Sequence, residues 1–251
     1  MRRFTISIAV AALALSIAPA IAKVPDYVAA AVADKDRPKD DTDRDAVRKP
    51  AEIIALTGLK PGDRAVDIGP GKTGYYTRIM SRIVGPKGKV YAYYPTWVID
   101  LNPKANIPDS LAKFIASGYP NVEASIQPMA EIKFDQPLDL VFISQLYHDQ
   151  TWQKVDVAKM NKAIFDALKP GGVYFIIDHV GPGVTTVEQI DKLHRIDPEA
   201  VKKEVLAAGF VLEAESDLLR NPKDDHSLNV FDKGIRGTTD QFVFKFKKPA
   251  K

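Results

Sequence analysis

The sequence predicts an α/β protein, with one mostly parallel sheet covered by helices on both faces. Three observations carry that reading. From Arg64 onward, short apolar runs alternate with segments whose apolar residues recur at helical spacing. The middle runs, Leu138–Ser144 and residues 173–178, are almost wholly apolar, as strands covered on both faces must be. A glycine-rich turn follows the first run, and such sheets gather ligands just beyond the carboxyl ends of their strands.

Each element has its own signal. Residues 35–48 form a charged stretch, read as a linker entering a helix, with Thr42 and Asp45 spaced as a capping pair. Val47, Ala51, Ile54 and Leu56 continue a helical stripe that Leu59-Lys60-Pro61-Gly62-Asp63 ends in a turn. Arg64–Ile68 is the first strand, and Tyr75–Val84 a helix with Tyr76, Ile79, Met80 and Ile83 on one face. A Gly85-Pro86-Lys87-Gly88 turn leads into strand 89–94, and a helix over 110–116, stopped by Gly118, precedes a weak strand at 122–126. After Leu138–Ser144, residues 152–168 read as one helix, ended by Lys169-Pro170-Gly171-Gly172 before strand 173–178. Asp197 then caps a helix with Pro198 in its first turn and Gly209 as its stop. Strands 210–215 and 242–246 bring the total to seven.

At ~150 residues per domain, 251 residues make one large domain or two small ones. Such a chain buries enough core to fold without a staple, and it contains no cysteine. With 45% hydrophobic and 27% charged residues, it is neither disordered, collagen-like nor a coiled coil.

The first residues read as an address. Arg2 and Arg3 precede the apolar stretch 4–18, and Ala20-Ile21-Ala22 supplies a small-x-small site before Lys23. The stretch is shorter than the ~20 residues of a membrane-spanning helix. We therefore expect a signal peptide at 1–22 cleaved after Ala22, a charged linker and helix start at 23–48, and a single domain over 49–251. The competing reading is an uncleaved anchor. Export would place the protein in the periplasm or outside the cell. The net charge of +3 falls to +1 without Arg2 and Arg3, which leaves no basic footprint for nucleic acid.

The sharpest motif lies between the first strand and its helix: Asp67-Ile68-Gly69-Pro70-Gly71-Lys72-Thr73-Gly74. Gly69, Gly71 and Gly74 satisfy G-x-G-x-x-G, in which missing side chains let backbone turn tightly and approach a ligand. A phosphate-cradling loop would need glycine at position 66, where Val66 stands. A dinucleotide would want an acid at the end of the second strand, which instead reads Val90-Tyr91-Ala92-Tyr93-Tyr94. Asp67, two places before the first glycine, suits the cationic amino-acid moiety of S-adenosylmethionine. A tight turn with no ligand remains the competing reading.

With that loop continuing as Gly74-Tyr75-Tyr76-Thr77, residues 40–248 resemble a class I S-adenosylmethionine-dependent methyltransferase, and more narrowly the exported methyltransferase-like proteins of bacteria. Leu138-Asp139-Leu140-Val141, Tyr147-His148-Asp149, Leu168-Lys169-Pro170-Gly171-Gly172 and Ala208-Gly209-Phe210 fall in the matching order. The resemblance implies a Rossmann-like seven-stranded sheet with an antiparallel last strand. It implies S-adenosylmethionine as cofactor, held by Asp67, Gly69, Gly71, Gly74, Tyr94 and Ala130, and a small-molecule acceptor. Two positions depart from the family. Tyr94 stands where an acid commonly holds the ribose, and Met129-Ala130 where an Asp often receives the adenine amino group. The alternative function is therefore a periplasmic ligand-binding protein on a methyltransferase scaffold.

Four histidines, His148, His179, His194 and His226, lie in the second half. His148 follows the fourth strand, so it is the candidate base for removing a proton from the acceptor, with Asp149 orienting it. A His-Asp pair that merely closes a loop competes with this. His148, Asp149, Asp178 and His179 could also converge on a metal ion, but without a recognised metal pattern none is expected. Tyr75, Tyr76, Tyr93, Tyr94 and Trp97 could wall the cofactor site. Residues 224–237 make a long loop between the last strands.

Overall fold

The computed structural model describes residues 23–101 and 103–250, so the expected signal peptide lies outside the described residues. Seven strands, β1 (Arg64–Ile68), β2 (Lys89–Pro95), β3 (Val122–Gln127), β4 (Leu138–Ser144), β5 (Leu168–His179), β6 (Val211–Ser216) and β7 (Gln241–Lys247), form one sheet in the order β3-β2-β1-β4-β5-β7-β6. β1 to β5 pair in parallel, and β7 runs antiparallel to both β5 and β6. Strand order reverses between β1 and β4, so the crevice opens at their carboxyl ends.

Alternation along the strands divides the core in two. Ala65, Val90, Ala92, Leu140, Phe142 and Phe175 face α1 (Asp26–Val32), α4 (Pro50–Thr57), α5 (Tyr75–Val84) and α7 (Ile107–Ala116). Val66, Ile68, Tyr93, Val141, Ile143 and Tyr174 face α8 (Tyr147–Trp152), α9 (Val157–Ala167) and α11 (Pro198–Ala207). Helices therefore cover both faces. The short α2 (Lys39–Thr42), α3 (Asp45–Arg48), α6 (Thr96–Leu101) and α10 (Val187–Leu193) complete the chain. Among the described residues, no helix is long and apolar enough to cross a membrane.

The charged stretch 35–48 is folded, not an open linker. Arg37 is buried and makes two 2.7 Å bonds to Asp45, whose Oδ1 also accepts the Tyr75 hydroxyl at 2.6 Å. Buried Asp41 accepts from Arg44 at 2.5 Å and from Thr73 of the glycine loop at 2.7 Å. The charges signalled ion pairs onto the domain and not solvation. Thr42 does not cap: it ends α2 and donates to the Lys39 carbonyl at 3.0 Å. The single helix expected over 152–168 is two, because Lys154 turns left-handed (φ 56°) and Asp156 caps a new start. The Lys169–Gly172 turn lies within β5, where the pairing with β4 shifts register. A further helix, α10, opens with a reciprocal capping box between Thr186 and Gln189.

Candidate cofactor and acceptor site

The loop from β1 to α5 needs its glycines. Gly69, Gly71 and Gly74 have φ of 75°, 69° and 69°, a region that costs other residues about 1–2 kcal/mol. A Cβ on Gly69 would also stand 2.6 Å from Leu146 Cδ2, whereas one on Gly71 would meet nothing within 4 Å. Asp67 is buried beneath the loop and accepts the Thr77 hydroxyl at 2.6 Å. Burial pushes its carboxyl up to about 6, against the Thr77 hydrogen bonds and the charge of Arg48.

Three cavities adjoin here. One of about 490 Å³ is lined by Gly71, Gly74, Tyr94, Leu111 and Phe114. A second, about 530 Å³, is lined by Asp67, Gly69, Gly71, Arg48, Ser144 and Gln145, so the two meet at Gly71. The third, about 340 Å³, shares Arg44, Arg48, Tyr76, Ser144 and Gln145 with the second and extends to His179, Arg236 and Thr239.

Asp67, Gly69, Gly71, Gly74 and Tyr94 are thus brought together. Tyr94 acts on the loop itself, its hydroxyl donating to the Gly71 carbonyl at 2.8 Å. Ala130 is not with them. Its turn is anchored by Met129, buried in the core that holds Met160 and Ile164 of α9, and Ala130 lines a separate cavity with Phe134 and Ala167. The tyrosines do not make one wall: Tyr76 packs on Phe142, whereas Tyr93 sits in the opposite core and donates to the Gln127 carbonyl.

His148 and Asp149 line none of these three cavities. The buried His148 ring has Nδ1 2.8 Å from Asp178 Oδ1 and Nε2 3.1 Å from Asp149 Oδ1. Burial opposes its charge, but Asp178 and Asp149 outweigh burial and hold the ring up to about 10. With both ring nitrogens facing carboxylates and the ring lining none of the three cavities, His148 does not stand where the expected base would meet an acceptor in them. Asp149 lies low, at about 2, because His148 and His194 outweigh its burial. Tyr147 points away, donating to Glu204 at 2.9 Å and accepting from Asn161 at 2.8 Å.

The histidine that lines the third cavity is His179. Thr239 Oγ1 lies 2.8 Å from its Nδ1, and burial pushes the ring down to about 4, so it is neutral. The four residues weighed for a metal do not converge either. Asp178 sits behind His148 Nδ1, and the His179 ring is 5.9 Å from that of His148. His194, Gln145 and Arg48 went unrecognised as site residues. Gln145, left-handed at φ 57°, follows β4 at the switch point, a position that could have flagged it. Arg48 arrives from the charged segment and carries no local signal.

The family described as protein-L-isoaspartate(D-aspartate) O-methyltransferase (PCMT) matches residues 42–99. The chain is 28% identical over 148 residues to the ubiquinone/menaquinone biosynthesis C-methyltransferase UbiE of Teredinibacter turnerae, which covers 56% of this chain. It spans about half the length of that curated relative, 53%. Among solved structures it is similar to a SAM-dependent methyltransferase from Aquifex aeolicus, with 20% identity, a TM-score of 0.57, and 81% of this chain and 92% of that one covered. It is also similar to an S-adenosylmethionine-dependent methyltransferase from Mesorhizobium loti, with 14% identity, a TM-score of 0.55, and coverage of 82% and 100%. The chain has the class I methyltransferase fold. S-adenosylmethionine is the cofactor named for both of these structurally similar enzymes.

Proposed function

We propose that the protein is an S-adenosylmethionine-dependent methyltransferase acting on a small-molecule acceptor. The observation that carries this reading is the loop at the switch point, where three left-handed glycines leave bare backbone between the Asp67 carboxylate and two adjoining cavities. A carboxylate there attracts the ammonium of a methionyl group and repels a pyrophosphate. The nucleoside would lie toward Tyr94 and Phe114, whose rings suit adenine.

The acceptor would enter the third cavity, whose size fits a small molecule and whose Arg44, Arg48 and Arg236 favour negative charge. The neutral imidazole of His179, anchored by Thr239, lines this cavity, and alignment alone supplies much of the rate in such transfers. We further propose that the mature protein is exported, on the strength of Arg2, Arg3 and the apolar stretch before Ala22. Sequencing of the mature amino terminus should then begin at Lys23.

Calorimetric titration with S-adenosylmethionine tests the cofactor reading. Saturable one-to-one heat at micromolar ligand supports it, and no heat at millimolar ligand overturns it.

A further inference from the structure

We propose that His148, Asp149 and His194 form a binding site for a divalent transition-metal ion of the zinc type. This inference does not depend on the methyl-transfer reading. His148 Nε2, Asp149 Oδ1 and His194 Nδ1 all lie within 4.8 Å of one another, with Oδ1 3.1 Å from the first nitrogen and 3.5 Å from the second. Ligand atoms about 2.0–2.1 Å from a tetrahedral zinc stand roughly 3.3 Å apart, so an ion fits with small adjustments.

The surroundings point the same way. Asp149 Oδ1 and His194 Nδ1 are both buried, and neither has an aligned hydrogen-bond partner among the described residues. Buried polar atoms are normally satisfied, and a shared cation would satisfy both. Asp178 can only accept, so it fixes a proton on His148 Nδ1 and leaves Nε2 facing Asp149. That is the carboxylate support which orients metal-bound imidazoles. Asp149 and Asp178 together bring two negative charges beside the imidazoles, which one divalent ion neutralises.

His194 is held left-handed at φ 50° after α10, with its ring 5.1 Å from Trp152 and 5.0 Å from Phe231. Strain of this kind persists where packing aims a functional side chain. Two imidazoles and a carboxylate suit zinc and leave a coordination position open. Phe231 and His179, which line the third cavity, pack against His194 and His148.

The test is titration of the chelator-stripped mature protein with Zn²⁺ by calorimetry and with Co²⁺ by visible absorption. One equivalent should bind, Co²⁺ giving the d–d bands of a low-coordinate site. His194→Asn, which tolerates the left-handed backbone, and the isosteric Asp149→Asn should each weaken binding by about 100-fold or more, while circular dichroism remains native. Asp178→Asn should weaken it about 10–100-fold by freeing the ring. His226→Asn, outside the cluster, should leave it unchanged. Failure to bind a stoichiometric ion, or undiminished binding by both His194→Asn and Asp149→Asn, would overturn the proposal.

Discussion

The Tyr94 hydroxyl donates to the Gly71 carbonyl across 2.8 Å, tying the end of β2 to the glycine loop. The resemblance noted in the sequence implies a ribose-holding acid at this position; the Tyr94 hydroxyl instead serves the loop. Tyr94→Phe keeps the ring and removes this bond, so it should cost about 0.5–1.5 kcal/mol and lower Tm by a few degrees. Chemical denaturation of the variant beside the wild type measures this. An unchanged midpoint would mean that the tie contributes nothing.

Gly69 and Gly71 share a left-handed backbone but differ in what a side chain would meet. Gly71→Ala should cost about 1–2 kcal/mol of strain. Gly69→Ala adds a close contact with the terminal methyl of Leu146, which must turn aside, and should cost more. Gly71→Ala, whose methyl group would stand in the two adjoining cavities proposed for the cofactor, should still weaken S-adenosylmethionine binding by about 10-fold. Equal melting temperatures for the two variants would refute the packing argument.

Asp67 titrates upward, from 3.8 to about 6, because burial disfavours its charge. Its contribution to stability is therefore full below pH 3.8 and is lost as pH rises through 6, a difference on the order of 3 kcal/mol. Asp67→Asn should flatten that slope and match or exceed the wild type at pH 7.5, while binding S-adenosylmethionine at least about 10-fold more weakly. Stability curves for the two proteins that run parallel from pH 4 to 7 would contradict this.

Removal of Asp45 tests whether the charged amino-terminal segment belongs to the fold. Asp45→Ala leaves the buried Arg37 guanidinium unpaired and Tyr75 without its acceptor. A loss of about 3–5 kcal/mol is expected, seen as a fall in Tm on the order of 10 °C. A thermal midpoint within a degree of wild type would mean that the segment is a solvated linker after all.

Local chemistry explains what could be read in advance. Arg64–Ile68, Tyr75–Val84 and Leu138–Ser144 were bounded correctly because apolar periodicity and flanking turns act within a few residues. The glycine loop was legible because its backbone angles exclude other residues. What escaped depends on partners distant in sequence. Asp45 reads as a capping residue until Arg37 and Tyr75 close on it, and His148 reads as a free base until Asp178, 30 residues on, takes its Nδ1. His194 gave no sign, since its strained backbone and its approach to Asp149 arise from the packing of α10 against α8.

A crystal structure of the protein grown with saturating S-adenosylmethionine should show the methionyl ammonium beside Asp67, the backbone of Gly69 and Gly71 against the ligand, and the adenosine between Tyr94 and Phe114. A loop still closed by Tyr94, with no nucleoside in either adjoining cavity, would contradict that placement.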